Sequence, residues 1–197
     1  MVVVDPKYVV KTERLLLRPL KLEDAEDVAL MRKDPEVMKH TNGSKEVLIQ
    51  VSYIPINQLQ RLANYHCSDN SWNFAIELLD TKSSSPRVIG LIGAVRTPEI
   101  GYMFNSSYWG KGYATEALRA FIPLFFEHFS GKEGQFLDYT EALTDPELVS
   151  SQNVLVKAGF KLYERKEKDF ENPILGIRDT LVYRMERSAV TGTPRPM

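Results

Sequence analysis

The chain has 197 residues, enough for one α/β domain with a full core and short for two. Lys plus Arg number 25 against 26 Asp plus Glu, so no global field favours nucleic acid or an anionic membrane surface, and any anion site must be local. Cys67 is the single cysteine, which excludes an intrachain disulfide and a multi-thiolate metal centre and suits a reducing cytoplasmic or nuclear compartment.

The valine run at the start is broken by Asp5, Pro6 and Lys7 and is no secretory h-region; residues 1–11 read as an extension, and no apolar run reaches membrane-spanning length. Glu13 to Pro19 predicts a short strand, stopped where Pro19 withholds its amide. A helix follows, with Glu23, Asp24, Glu26 and Asp27 crowding its first turns beside the positive helix end and Ala25, Val28 and Ala29 as its apolar stripe. Pro35 ends that helix or opens a second one. Beyond Thr41 the pattern weakens, with a helix expected over Asn57 to His66.

Trp72 to Leu79 alternates Trp72, Phe74, Ile76 and Leu78 onto one face, as a half-buried strand should. Asp80 to Pro86 is a polar turn, and Val88 to Val95 is apolar enough for a central strand buried on both faces. Glu99 to Phe104 is the next strand. From Ala114 the period turns helical through Ala117, Leu118, Phe121 and Phe125, with Pro123 predicting a kink or an early end. Gln135 to Leu143 is a further strand. Asp145 is expected to cap a helix that has Pro146 at its first position and Gly159 at its end, facing the core through Leu148, Val154, Leu155 and Ala158. Phe160 to Lys166 and Arg178 to Glu186 form a closing antiparallel pair, with Leu181, Tyr183 and Met185 inward. The domain spans 12–187, and residues 188–197 read as a disordered tail.

The order β α β β β α β α β β describes a mixed sheet with helices packed on it. Within it, Glu99 to Leu118, EIGYMFNSSYWGKGYATEAL, sets a strand, a glycine turn and a helix start in sequence. Unpaired amides at a helix N-terminus carry about half a positive charge, and Gly110 and Gly112 let an anion approach them. Rossmann and P-loop readings fail, because GxGxxG and GK[ST] are both absent. His40, His66 and His128 are too scattered for a metal site. Phe121, Phe125, Phe126 and Phe129 are core at helical spacing, and Trp72 is a packing residue.

TERLLLRPLKLEDAEDV, IGYMFNSSYWGKGYATEALRAF and SSQNVLVKAGFKLYER together resemble the GNAT-type N-acetyltransferases, and most closely their RimJ/RimL-like branch of ribosomal-protein N-terminal acetyltransferases. The resemblance runs from about Thr12 to Glu186, and WGKGYATEAL, Trp109 to Leu118, aligns with the acetyl-CoA loop written Q/R x x G x G/A. Trp109 stands where Gln or Arg is usual. The resemblance implies an α/β (α+β) GNAT fold: a mixed, mostly antiparallel sheet splayed at its centre, with helices on both faces. It also implies a β-bulge near the end of the Glu99 to Phe104 strand, with pantetheine lying in the wedge as a pseudo-strand against Tyr102, Met103 and Phe104. Unpaired backbone groups of a splayed strand can satisfy its amides. The pyrophosphate then falls to Gly110, Lys111, Gly112, Tyr113, Ala114 and Thr115, with Trp109 and Lys157 as further cofactor contacts. Lys111 either adds charge there or is a solvated turn lysine.

The reaction implied is direct transfer of acetyl from acetyl-CoA to a primary amine in a ternary complex, without metal. An amine with a pKa of about 10.4 is nucleophilic in only about 1 in 10³ molecules at neutral pH, so a base is required. Glu99 is the candidate, beside apolar Ile92 and Ile100; the alternative is an edge-strand glutamate facing solvent. Leu148 and Leu155 stand where relatives carry asparagine and tyrosine. Ser151 then donates to sulfur, contacts pantetheine, or bonds its own helix backbone. The acceptor is a protein N-terminus or a small-molecule amine, and a non-catalytic acyl-CoA sensor is the reading from another class. Acceptor choice is assigned to Thr41 to Ser71 and to the Lys166 to Arg178 loop. No nucleic-acid or membrane partner is expected, and the chain is expected to be a monomer or homodimer.

Overall fold

A computed structural model describes residues 8–41, 72–80, 87–129 and 137–191. Eight strands form one sheet in the order β1-β2-β3-β4-β5-β6-β8-β7. They are β1 (Val10–Lys11), β2 (Leu15–Pro19), β3 (Trp72–Leu78), β4 (Val88–Arg96), β5 (Glu99–Phe104), β6 (Tyr139–Thr144), β7 (Lys161–Asn172) and β8 (Gly176–Glu186). Every pairing is antiparallel except β5 with β6. Five helices are present among the described residues: α1 (Ala25–Lys33), α2 (Pro35–Met38), α3 (Tyr113–His128), α4 (Val149–Ala158) and α5 (Ser188–Thr191). Pro35 opens a second helix, with the Asp34 carboxylate accepting from the Glu36 amide at 2.9 Å.

Helices cover both faces, as the resemblance implies. On one face α1 sets Val28 and Met31 against Ala75, Val88, Leu91 and Met103. On the other, α3 buries Leu118, Phe121, Ile122, Phe125 and Phe126 against Leu17, Phe74, Ile76, Ile92 and Ile100. Each of those large side chains contributes about 1.5–3 kcal/mol. That burial explains Pro123, which neither ends nor shortens α3. Pro123 and Arg119 both lie on the exposed side, where water can take the carbonyl that proline leaves unbonded.

Other expectations are corrected. The pairing irregularity beside β5 lies on β4 between Ala94 and Arg96, at the start of β5 and not near its end. It leaves Val95 as the extra residue, 48% exposed, on the strand that turns tightly into Glu99. α4 begins at Val149 and not at Pro146, because Asp145 is occupied elsewhere. Its carboxylate accepts from the Glu147 amide at 2.7 Å and from Arg178 at 2.8 and 2.9 Å, closing a turn ahead of the helix. Of the four core positions expected there, Leu155 alone is fully buried, and Val154 and Ala158 are half-buried. Gly159, at φ 106°, ends the helix as expected. Lys166 to Arg178 is mostly paired strand, with Phe170 opposite Arg178 and a break in register between Lys166 and Phe170. Ser188–Thr191 is a helical turn with Val190 packed on the core, and β1 begins within the segment read as an extension. The helix expected over Asn57 to His66, most of the Asp80 to Pro86 turn and the start of the Gln135 strand lie outside the described residues.

The network below α1 is the most buried ionic feature among the described residues. Asp24 is fully buried; its carboxylate receives Arg18 twice at 2.7 Å, Arg87 at 2.6 Å and the Lys21 amide at 2.8 Å. Glu77 joins through Arg18 and Arg87. Burial pushes the Asp24 pKa up, but the bonds from Arg18, Lys21 and Arg87 outweigh it and hold the carboxyl below its ordinary value.

Candidate active site

β5 and β6 diverge from one point. Their ladder holds the single parallel pair Glu99 and Glu141, with the Glu141 amide and the Thr140 hydroxyl both donating to the Pro98 carbonyl, at 3.1 and 2.9 Å. Beyond Glu99 the strands carry no further pairing, so a wedge opens toward Tyr102, Met103 and Phe104 on one side and the end of β6 on the other. Alternation along β5 sends Ile100, Tyr102 and Phe104 to the α3 face, and Glu99 and Met103 to the α1 face.

After Phe104 the chain makes a short helical turn, Ser106–Tyr108, capped by the Asn105 side chain on the Ser107 amide at 3.0 Å. Gly110 and Gly112 then adopt φ of 74° and 82°, a conformation that side chains with a Cβ rarely take. A Cβ on Gly110 would meet nothing within 4 Å, and one on Gly112 only the Arg14 guanidinium at 3.4 Å, so the space above both is open. Gly112 is the N-cap of α3 and no side chain caps that helix. The amides of its first turn therefore point outward unpaired within the helix, at the mouth of the wedge.

Two residues assigned to the cofactor are turned toward the loop itself. The Trp109 indole donates to the Phe104 carbonyl at 2.8 Å, which clasps the loop to the end of β5 while the residue stays 48% exposed. Lys111 Nζ donates to the Ser107 carbonyl at 3.0 Å and lies 5.2 Å above the Tyr108 ring. Gly112, Thr115 and Lys157 do come together, lining a cleft of about 620 Å³ with Arg14 and Arg119. Arg119 also donates to the Lys157 carbonyl at 2.5 Å, joining α3 to the last turn of α4.

Arg14 is the functional-loop residue that sequence reading missed. Its guanidinium bonds the Lys111 carbonyl at 3.0 Å and Glu116 at 2.7 Å, and stacks 4.7 Å from the Tyr113 ring. Glu116 also receives Thr12 at 2.5 Å and the Arg14 amide at 2.9 Å. Desolvation pushes this carboxyl up, but those donors prevail and its pKa is lowered. Arg14 and Glu116 are 102 residues apart, so no local pattern marks the clamp.

Glu99 meets a different environment from the apolar one expected. Its carboxylate pairs with Arg96 at 3.1 Å, and that arginine is largely exposed. Its cross-strand neighbour Glu141 is held more firmly, by Arg184 at 3.1 Å, whose guanidinium lies 3.8 Å from the Tyr139 ring and 3.5 Å from the Tyr163 ring. On the opposite face, Tyr102 and Ser151 meet: the phenol oxygen is 2.8 Å from Ser151 Oγ and 3.2 Å from the Ser151 carbonyl. Burial pushes the Tyr102 phenol up to about 12 against the lowering effect of the Ser151 bond. Leu155, fully buried, is a core residue and offers no donor.

The acetyltransferase (GNAT) domain family matches residues 14–161. This chain belongs to that family. It is similar to the uncharacterized N-acetyltransferase p20 of Bacillus licheniformis, 29% identical over 156 residues that cover 76% of this chain and 80% of that protein. The uncharacterized N-acetyltransferase YnaD of Bacillus subtilis (strain 168) is 28% identical over 160 residues, 77% of this chain and 82% of its own. Among solved structures, Mycobacterium smegmatis RimJ in complex with CoA-disulfide aligns with a TM-score of 0.73 at 20% identity, covering 93% of this chain and 88% of that one. Spermidine N-acetyltransferase from Vibrio cholerae, in complex with CoA and spermine, aligns at 0.69 with 17% identity, over 90% of this chain and 98% of its own. These two share the fold. The protein is thus a GNAT acetyltransferase, an enzyme of the class that moves an acyl group from acetyl-CoA to an amine. No helix among its described residues is long and apolar enough to cross a membrane, and none of their His, Cys, Asp and Glu side chains form a group of three that could hold a metal ion.

Proposed function

We propose that this GNAT acetyltransferase acetylates a primary amine by direct attack on acetyl-CoA lying in the β5–β6 wedge, and that the acceptor is a protein N-terminus, as in the RimJ/RimL-like branch. One observation carries the cofactor half: the uncapped N-terminus of α3, opened by Gly110 and Gly112, lies at the mouth of the one splayed strand pair in the described sheet. Pyrophosphate on the amides from Gly110 to Thr115 places pantetheine along Tyr102, Met103 and Phe104, while Lys157 and Arg119 supply positive charge in a cleft that the Arg14–Glu116 pair and Glu13 also line. Trp109 and Lys111 serve this site by shaping the turn. A cytoplasmic setting belongs to the same reading.

Glu99 is the base. Its exposed ion pair with Arg96 is of the weak kind and is readily exchanged for an incoming ammonium, whereas Glu141 is held by a guanidinium packed between two tyrosines. The amine gives its proton to Glu99, directly or through a water, and its lone pair then attacks the acetyl carbon from the α1 face. Release of coenzyme A thiol across a panel of peptide N-termini, polyamines and amino sugars tests this reading. Turnover with the peptides supports it; turnover only with small amines moves the acceptor, and tight acetyl-CoA binding without turnover on any amine marks a sensor and overturns the proposal.

A further inference from the structure

We propose that Tyr102 is the positioning residue that aims the Ser151 hydroxyl at the sulfur of the bound thioester, an inference that rests on the acetyl-CoA reading above. A serine inside a helix usually turns its hydroxyl onto its own backbone. Here the Ser151 oxygen is instead met by a phenol from another element, at 2.8 Å, and that phenol also reaches the Ser151 carbonyl at 3.2 Å. The phenol has one proton, and both Ser151 oxygens can accept it. With Tyr102 as donor, Ser151 keeps its own O–H free for a third partner.

The location tells which partner. Tyr102 lies past the Glu99–Glu141 pair, where β5 has parted from β6, and its side chain crosses on the α3 face to the first turns of α4. A thioester laid along β5 therefore passes the two hydroxyls. Glu99 is on the other face of the strand and three residues away, about 10 Å at about 3.3 Å per residue. An amine set over the face of the carbonyl carbon, that carbon and the sulfur, with one water at the base, span that length. The base thus serves the amine on the α1 face and the hydroxyl pair serves the sulfur on the α3 face.

The magnitudes decide what the pair does. A phenol held near 12 sits about three and a half pH units above a thiol at about 8.5, and a serine hydroxyl is weaker still as an acid. Outright proton transfer to sulfur is disfavoured by more than a thousandfold, so the proton stays on oxygen. The amine lone pair forms the C–N bond, the C–S bond breaks, its electron pair goes to sulfur, and the amine proton leaves to Glu99 or water. Ser151 donates a hydrogen bond to the thiolate as it forms, with Tyr102 holding the serine in place.

Coenzyme A itself is the probe, with the ultraviolet absorbance of its thiolate followed against pH in the complex. The thiol bound to the wild-type protein is expected to titrate about one pH unit below the thiol bound to Tyr102→Phe, a tenfold difference in thiolate at neutral pH. Ser151→Ala should move it the same way, and the double variant no further than the larger single change, because the two act as a unit. Affinity for coenzyme A should stay within about threefold throughout. A packing role for Tyr102 lowers the melting temperature without moving the thiol. If Tyr102→Phe does not fold, Tyr102→Met, which fills the same space without a hydroxyl, is measured in its place against the same expected shift. Bound thiol titrating at the same pH in wild type and variants, with binding retained, overturns the proposal. Failure of the wild-type protein to bind coenzyme A overturns the acetyl-CoA reading itself.

Discussion

Two helices of this protein start beside an arginine–carboxylate cluster, and the two clusters do different work. Below α1, Arg18 and Asp24 are both buried, at 6% and 0% exposure, and the carboxylate is saturated by Arg18, Arg87 and a backbone amide. At α3, Arg14 is exposed and Glu116 half-buried; the guanidinium divides itself between the carboxylate, the Lys111 carbonyl and the Tyr113 ring. The first cluster consumes its charges internally and joins β2, β3, β4 and α1. The second fastens the edge of an open loop whose glycines leave room for a ligand. Acidic residues at a helix start thus read alike in sequence, and burial separates a structural network from the border of a site.

Changes to each cluster should separate the two roles. Asp24→Asn leaves the Arg18 guanidinium short of its anion in the interior, and should cost about 3–5 kcal/mol of unfolding free energy while the folded fraction binds acetyl-CoA normally. Chemical denaturation followed by a binding titration checks both halves. Glu99→Gln should lower turnover at pH 7 by tenfold or more, with the loss shrinking at high pH where free amine is abundant; Glu141→Gln should cost less. Equal, pH-independent losses from both would move the base away from Glu99. Glu116→Gln should weaken acetyl-CoA several-fold and shift the melting temperature by no more than about 3 °C. Its effect should fade in 1 M salt, whereas that of Asp24→Asn should persist.

Acid extends the contrast. Asp24 and Asp145 have pKa values lowered in the folded state, Asp24 by Arg18 against its own desolvation and Asp145 by its bonds from Arg178. Their stabilisation is present above the unfolded value of about 3.9 and is lost as pH falls from there through the lower folded values. Wild-type unfolding free energy should therefore decline below about pH 4, and Asp24→Asn should decline less steeply. Tyr102 acts in the opposite range. Its phenol is raised to about 12, so an unfolded chain ionises first, and stability should fall as pH rises above about 10.

Most of the sheet was legible because apolar runs and alternation are local signals. Val88 to Val95, Glu99 to Phe104 and the α3 face all stand where their patterns put them. The departures come from contacts that only the folded chain makes, some of them near in sequence and some far. α4 starts late because Arg178 takes Asp145, Trp109 faces its own loop because the Phe104 carbonyl is within reach of the indole, and Pro123 is tolerated because flanking aromatics are buried. The site was legible in its backbone part, where glycines and a helix start are adjacent in the chain. Arg14, Glu116 and the Tyr102–Ser151 contact were not, since each needs two elements brought together by the fold.

If the turn from Gly110 to Thr115 grips the pyrophosphate of acetyl-CoA, a calorimetric titration of acetyl-CoA into wild type, Gly112→Asn and Gly112→Asp separates the three proteins. Both side chains tolerate the positive φ better than other residues and are nearly the same size, so strain is matched and charge is the difference. Wild type should bind, Gly112→Asn should bind several-fold more weakly, and Gly112→Asp should lose binding by a further hundredfold or more. Equal affinity in the two variants would contradict a phosphate at this turn.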